Sequence, residues 1–166
     1  MPRSLVRARR AGTGPRAGRL HRRAMGAGQA APRRVRTMDA MSLIAQALAF
    51  VAALIHVFFF YAESVTFSRP ETWRRFGLQS QEQADVVRPM AYNQGFYNLF
   101  LALGIVVGLV LVTNGSVEAG RAVVVFACAC MTLAGVVLFA TNRAMLRAAL
   151  LQAVPPALAI ITSFVL

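Results

Sequence analysis

Four long apolar runs organise the chain after its first 40 residues. They cover about 42–62, 91–112, 121–141 and 148–166, and each is close to the roughly 20 mostly apolar residues that a bilayer-spanning helix needs. His56 is the interior polar exception in the first run. The connections after the second and third runs are short, so these neighbours must pack antiparallel. The pattern predicts an all-α membrane protein, with residues 41–166 forming an up-down bundle of four transmembrane helices.

The connection between the first two runs is the only extended one. Within it, Pro70 suits the first turn of a helix, and Trp73 and Phe76 suit the membrane–water interface. Ser80, with Gln83 three residues later, resembles a capping box that opens a short helix toward the second run. We therefore expect this loop to lie on the membrane surface with a short interfacial helix, and not to form a separate domain.

Composition supports a membrane protein and locates its charge. Of 166 residues, 57% are hydrophobic and 14% charged, whereas soluble domains carry roughly 25% charged residues. The net charge of +12 would suggest a nucleic-acid partner, but 11 of the 18 basic residues precede position 37, where no acid occurs. The rest of the chain is nearly neutral. We therefore expect the lipid bilayer as its partner and no nucleic acid.

The Arg-rich stretch 1–40 contains almost no large apolar residues, so it cannot form a packed core. Three interpretations compete: a disordered basic arm that touches anionic lipid or nucleic acid, a transit peptide, and a mis-assigned start. A transit peptide is usually Ser-rich, and here Ser4 stands alone. We favour the mis-assigned start, with translation beginning at Met38 or Met41.

Arginine placement predicts the orientation. One arginine, Arg121, lies on one side of the predicted bundle when the tail is left out, and six lie in the loops on the other side: Arg69, Arg74, Arg75, Arg88, Arg143 and Arg147. Cytoplasmic loops carry the excess of positive charge. We expect both termini outside a bacterial plasma membrane if the chain starts near Met41. The tail would pull the N-terminus inward, which is a further reason to doubt it.

All four runs bring polar side chains to the membrane face that carries these arginines, and such groups mark candidate sites because they are costly there. Glu63 ends the first run, and His56 lies seven residues earlier, roughly 10 Å deeper on the same face. In the fourth run Pro155 and Pro156 free backbone carbonyls four residues earlier. The candidate ligand-binding residues are His56, Glu63, Asn93, Gln94, Tyr97, Asn98 and Gln152.

The chemistry of this cluster leaves three hypotheses open. The first is a bundle that binds or conducts a small ligand. The second is a membrane enzyme or redox accessory in which His56 acts as acid and base and Glu63 orients it. The third is a structural scaffold whose polar network only holds helices together, at about 0.6 kcal/mol per hydrogen bond. No known catalytic motif occurs, so an enzyme is not our lead.

Neither a metal nor a cofactor is assigned from the sequence. One imidazole and one carboxylate are too few for a tetrahedral zinc site unless amide groups or water complete it. The only two cysteines, Cys128 and Cys130, are two residues apart in an apolar run. Side chains at that spacing point to nearly opposite sides of a helix, so the two cannot bind one ion together.

Gly104 and Gly108 form a G-x-x-x-G motif in the second run, which allows two helices to approach closely. At 100° per residue the motif shares a face with Asn93, Tyr97 and Phe100. A face shared with the polar cluster favours packing inside the bundle. Homo-oligomerisation through Gly104 and Gly108 is the alternative.

A set of short strings runs through the same part of the chain: Met41-Ser-Leu-Ile-Ala-Gln, Ala53-Leu-Ile-His56, Tyr61-x-Glu63, Phe76-Gly-Leu78, Asn93-Gln-Gly-x-Tyr-Asn98 and Gln152-x-x-Pro155. Together they resemble the membrane protein family DUF1304, over essentially 41–166 and none of the tail. The string from Asn93 to Asn98 is the most specific part. The resemblance implies a four-helix bundle that starts near Met41, and it implies no activity.

Overall fold

A computed structural model describes residues 40–166. The three interpretations of the Arg-rich tail concern mainly residues 1–39, which lie outside this range. The described chain forms five α-helices and no strand: α1 (Leu43–Phe60), α2 (Pro70–Trp73), α3 (Gln81–Thr113), α4 (Val117–Thr141) and α5 (Leu146–Val165). A π-helical turn, Tyr61–Val65, extends α1, and 3₁₀ turns, Arg74–Phe76 and Arg143–Met145, follow α2 and precede α5.

The four long helices form a bundle in which α1 packs against α3 and α5, and α4 packs against the same two neighbours. Each is long and apolar enough to cross a membrane. Large apolar side chains such as Leu54, Phe126 and Phe164 cover the outer surface, as expected where the surrounding solvent is lipid. The predicted all-α bundle of four membrane helices is confirmed, and the protein is an integral membrane protein.

Small residues line the axis of the bundle. In α1 the buried positions include Ala45, Ala49 and Ala52, which recur every three or four residues and so form one stripe along the helix. Lipid tails are as apolar as the helix surfaces, so close van der Waals packing, and not hydrophobic burial, holds such helices together. Larger side chains, among them Ile105 and Met131, fill the centre of the bundle.

The loop helix α2 packs on the start of α3. Trp73 is only 4% exposed, and its indole Nε1 donates a hydrogen bond to Gln81 Oε1 at 3.2 Å. Phe67 and Ala84 are buried in the same small cluster. The Arg74 guanidinium lies 5.3 Å from the Trp73 ring centre, within cation–π range. The loop is thus held against the bundle by its own aromatic core.

The second predicted span begins earlier than the sequence indicated. Ser80 Oγ accepts from the Gln83 backbone N–H at 3.3 Å and caps α3 itself, which then continues through Pro89 to Thr113. The short helix and the span, predicted as separate, are therefore one helix. Pro89 frees the Asp85 carbonyl of its helical donor, but Asp85 is exposed. With 33 residues, α3 is roughly 50 Å long and extends beyond a hydrocarbon layer of roughly 30 Å.

Gly108 and Gly104 differ sharply in how closely they pack against α4 of the same chain. A Cβ added at Gly108 would lie 2.6 Å from Val124 Cγ2 and 2.9 Å from the Gly120 carbonyl oxygen. A Cβ at Gly104 would meet only the Ala127 Cβ, at an ordinary 3.8 Å. Association of two copies through this motif stays a prediction.

We expect Gly108→Ala to destabilise the bundle by about 1–3 kcal/mol, because the new methyl group overlaps the α4 backbone and forces the helices apart. Gly104→Ala is the matched control on the same helix and should not destabilise the bundle, because its methyl group meets no clash and alanine favours the helix by about 0.5–1 kcal/mol. Unfolding in mixed detergent micelles measures both. Equal stability of the two variants would contradict the close α3–α4 packing.

Candidate functional site

The end of α1 widens into a π-helical turn that places Glu63. The Thr66 N–H donates to the Tyr61 carbonyl at 3.0 Å, one residue further along than in an α-helix, and such single turns are frequent at functional sites. The Glu63 carboxylate is turned toward α3, where Oε2 accepts a hydrogen bond from Asn98 Nδ2 at 2.8 Å. Asn98 is itself buried. The bond therefore joins the two helices inside the bundle.

Gly95 allows this close approach of α1 and α3. A Cβ at this position would overlap the Ser64 hydroxyl and lie 3.1 Å from the Glu63 Cβ. Ser64 Oγ in turn donates to the Tyr92 carbonyl at 2.9 Å. The Asn-Gln-Gly-x-Tyr-Asn string thus contributes a contact point at Gly95 and a carboxylate partner at Asn98.

A cavity of about 1420 Å³ opens at this end of the bundle. Its wall comes from the end of α1, the loop around α2, the middle of α3, the end of α4 and the start of α5. Four of the seven predicted site residues line it: Glu63, Gln94, Asn98 and Gln152. The structure thus brings together the polar residues of three helices.

The cavity reaches the lipid-facing surface of the bundle beside α1 and α5. Phe58 lies two residues from the buried His56 and so points away from the bundle axis, yet it lines the cavity. Leu151 stands in the same relation to the buried Ala149 on α5. Both side chains are 53% exposed. The cavity is therefore open sideways, through the outer surface of the spanning helices α1 and α5, as well as toward the loops.

His56 lies behind the cavity wall and not on it. It is fully buried, and its Nδ1 donates to the Ala52 carbonyl at 2.9 Å. Its Nε2 has no hydrogen-bond partner among residues 40–166. The ring packs edge-on against Phe59, with the ring centres 5.6 Å apart, and Phe59 lines the cavity. The predicted His56–Glu63 pair does not form, because the carboxylate bonds to Asn98 instead.

Asn93 and Tyr97 lie on the outer surface of α3, and Tyr97 is 56% exposed. The expectation that the face shared with Gly104 points into the bundle does not hold for these two residues. The inward face of α3 is set by the buried positions Ala91, Gly95, Asn98 and Ala102, which lie nearly opposite on the helical wheel. A bulky tyrosine cannot take the place of the small residues that let α3 approach α1.

Three arginines that were not among the predicted site residues also line the cavity. Arg69, Arg75 and Arg147 come from the loop before α2, the 3₁₀ turn after it and the first turn of α5. In the sequence they served only to predict orientation. Their convergence depends on the fold of the α2 loop, which no local pattern revealed. Among residues 40–166 no three His, Cys, Asp or Glu side chains are grouped to hold a metal ion, and Cys128 and Cys130 are free.

Comparison with known proteins identifies the family. The model of "Protein of unknown function (DUF1304)" matches residues 50–164. The chain belongs to the DUF1304 family. The match includes the cavity-lining residues and leaves out both the Arg-rich tail and the string at Met41. No curated protein and no solved structure matches this DUF1304 chain, so the site must be interpreted from its own geometry.

The Glu63–Asn98 bond can be tested with a double-mutant cycle. We expect Asn98→Ala to cost about 1–3 kcal/mol when Glu63 is present, because the buried carboxylate loses its donor. The same change should cost clearly less in a Glu63→Ala background. Detergent unfolding gives all four stabilities. Asn93→Ala, on the exposed face of α3, is the control and should have little effect. Additive losses would mean that the two side chains do not interact.

Proposed function

We propose that this DUF1304 protein binds a small ligand in the cavity at the arginine-rich membrane face. The observation that carries the proposal is the cavity itself, which brings polar side chains of α1, α3 and α5 to one wall. Ligand sites in proteins commonly occupy roughly 300–1,000 Å³ and combine apolar walls with a few polar groups. The volume of about 1420 Å³ exceeds this range, as expected for a cavity that is open to its surroundings.

Unpaired amides in the wall favour binding over scaffolding. Within residues 40–166, the side chains of Gln94 and Gln152 make no protein hydrogen bond, although both line the cavity. A network that only held helices together would pair its amides across the bundle. Of the cavity-lining amides, Asn98 is paired in this way, with Glu63. The unpaired amides are therefore available to a ligand.

The geometry gives less support to acid–base catalysis and to conduction through the bundle. Acid–base catalysis by His56 oriented by Glu63 requires a hydrogen bond between them, whereas each has a different partner. Conduction through one chain requires a path along the axis, whereas Ile105, Val124 and Met131 are fully buried there. Binding at one end of the bundle is the simplest function that fits.

Filling the cavity tests the proposal. Ala134 lines the cavity on α4, and we expect Ala134→Phe to expel a bound molecule by occupying its space. Ala122→Phe is the matched control, because Ala122 is exposed near the other end of the same helix. Native mass spectrometry of the detergent-purified protein measures the retained mass. A retained molecule that survives Ala134→Phe as well as Ala122→Phe would place it outside the cavity.

We also propose that the arginine-rich loops face the cytoplasm and that both ends of residues 41–166 lie outside. Single cysteines at Ser68 and Ser116, in a background without Cys128 and Cys130, test this in intact bacteria with a membrane-impermeant maleimide. For a chain started at Met41, we expect Ser116→Cys to react at once and Ser68→Cys to react only after permeabilisation. The opposite labelling pattern would show that the arginine-rich loops face the outside.

A further inference from the structure

We propose that the ligand is a phosphate-bearing amphiphile from the bilayer, with its phosphate on Arg69, Arg75 and Arg147 and its hydrocarbon chain on the apolar cavity wall. This inference rests on the proposed ligand-binding function and names its chemical class. It is drawn from the charges at the mouth of the cavity, the aromatic and aliphatic wall beneath them and the lateral opening between α1 and α5.

The cavity arginines differ from other arginines of the bundle in what they contact. Three that lie outside the cavity are placed over aromatic rings: Arg74 over Trp73, Arg121 over Phe164, and Arg143 over Phe139 at 4.2 Å from the ring centre. Those in the cavity wall have no carboxylate within 4.0 Å and no ring partner among residues 40–166. Guanidinium groups bind phosphate through paired, charge-assisted hydrogen bonds.

The carboxylates in the same wall do not cancel this charge. The three arginines outnumber the two glutamates, Glu63 and Glu71. Glu63 lies deeper, on the π turn, and already accepts from Asn98. Together with Gln94 and Gln152 it offers acceptors and donors suited to a hydroxyl or ester group next to a phosphate. The arrangement fits a headgroup with a charged end and a neutral polar linker.

The lower wall is apolar and continuous with the lipid. Phe58, Phe59, Leu138 and Leu151 line it, and Phe58 and Leu151 also belong to the outer surface. A soluble anion would bury no hydrocarbon here and would not need a lateral opening. A lipid-derived ligand can enter sideways with its chain still in the bilayer and its headgroup at the level of the arginines.

The binding experiment uses the full chain in dodecyl maltoside micelles, which contain no phosphate, with radiolabelled oleoyl lysophosphatidic acid as the probe. We expect Arg75→Gln combined with Arg147→Gln to weaken probe binding at least tenfold. The matched control combines Arg74→Gln with Arg143→Gln, which removes the same charge from positions one and four residues away in the chain and should change binding less than twofold. Thermal unfolding verifies that both double variants fold.

Competition distinguishes the sources of the phosphate. Unlabelled lysophosphatidic acid should displace the probe, whereas inorganic phosphate and monoolein should each require at least a hundredfold higher concentration. Displacement by inorganic phosphate at the same concentration would overturn the hydrocarbon part of the proposal. Equal weakening by both double variants would assign binding to general surface charge and overturn the arginine site.

The outcome also separates this inference from the proposed function. If monoolein competes as well as lysophosphatidic acid and the double variant Arg75→Gln with Arg147→Gln binds normally, the ligand is not anionic. The proposal that the ligand is anionic is then wrong, while the proposal that the cavity binds a ligand stands. If no amphiphile binds and Ala134→Phe displaces no retained mass, the proposed function itself fails.

Discussion

The close approach of α3 to the π turn of α1, at Gly95, is the constraint on which the site depends. It brings the Gly95 backbone against the side chains of Glu63 and Ser64 at one corner of the bundle and sets the Glu63–Asn98 bond inside it. Both Glu63 and Asn98 also line the cavity. The contact between α1 and α3 thus forms one wall of the cavity.

The two ends of the bundle follow different packing rules. Toward the opposite end, Ala45, Ala49 and Ala52 let α1 pack closely against its neighbours. At the cavity end the axis carries longer polar side chains, and α5 contains Pro155 and Pro156. These prolines free carbonyls at about residues 151 and 152, where the α5 helix lines the cavity. Of the two residues, Gln152 brings a polar side chain to the cavity and Leu151 an apolar one.

Hydropathy predicted the four spans because a helix that crosses the bilayer needs a continuous apolar run of about the length set by the hydrocarbon thickness. It could not predict which polar residues face inward, since Asn93 and Asn98 belong to one short string and differ only in helical phase. The side of α3 that faces α1 is identified by the small residues in contact with α1, above all Gly95. The π turn also changes the direction of Glu63 relative to His56. Such a turn cannot be predicted from the spacing of apolar residues in the sequence. The arginine cluster depended on the folded α2 loop.

The energetic cost of burying His56 helps to distinguish a ligand-binding function from a structural one. A buried, unpaired polar nitrogen costs about 1–3 kcal/mol, and His56 Nε2 is such a group within the described chain. A bundle built only for stability gains nothing from an imidazole at a position that an apolar side chain would fill. The ring is separated from the cavity by Phe59, which contacts both. The Nε2 of His56, unpaired among the described residues, destabilises the bundle at a position next to the cavity. This position favours a ligand-binding protein over a purely structural scaffold.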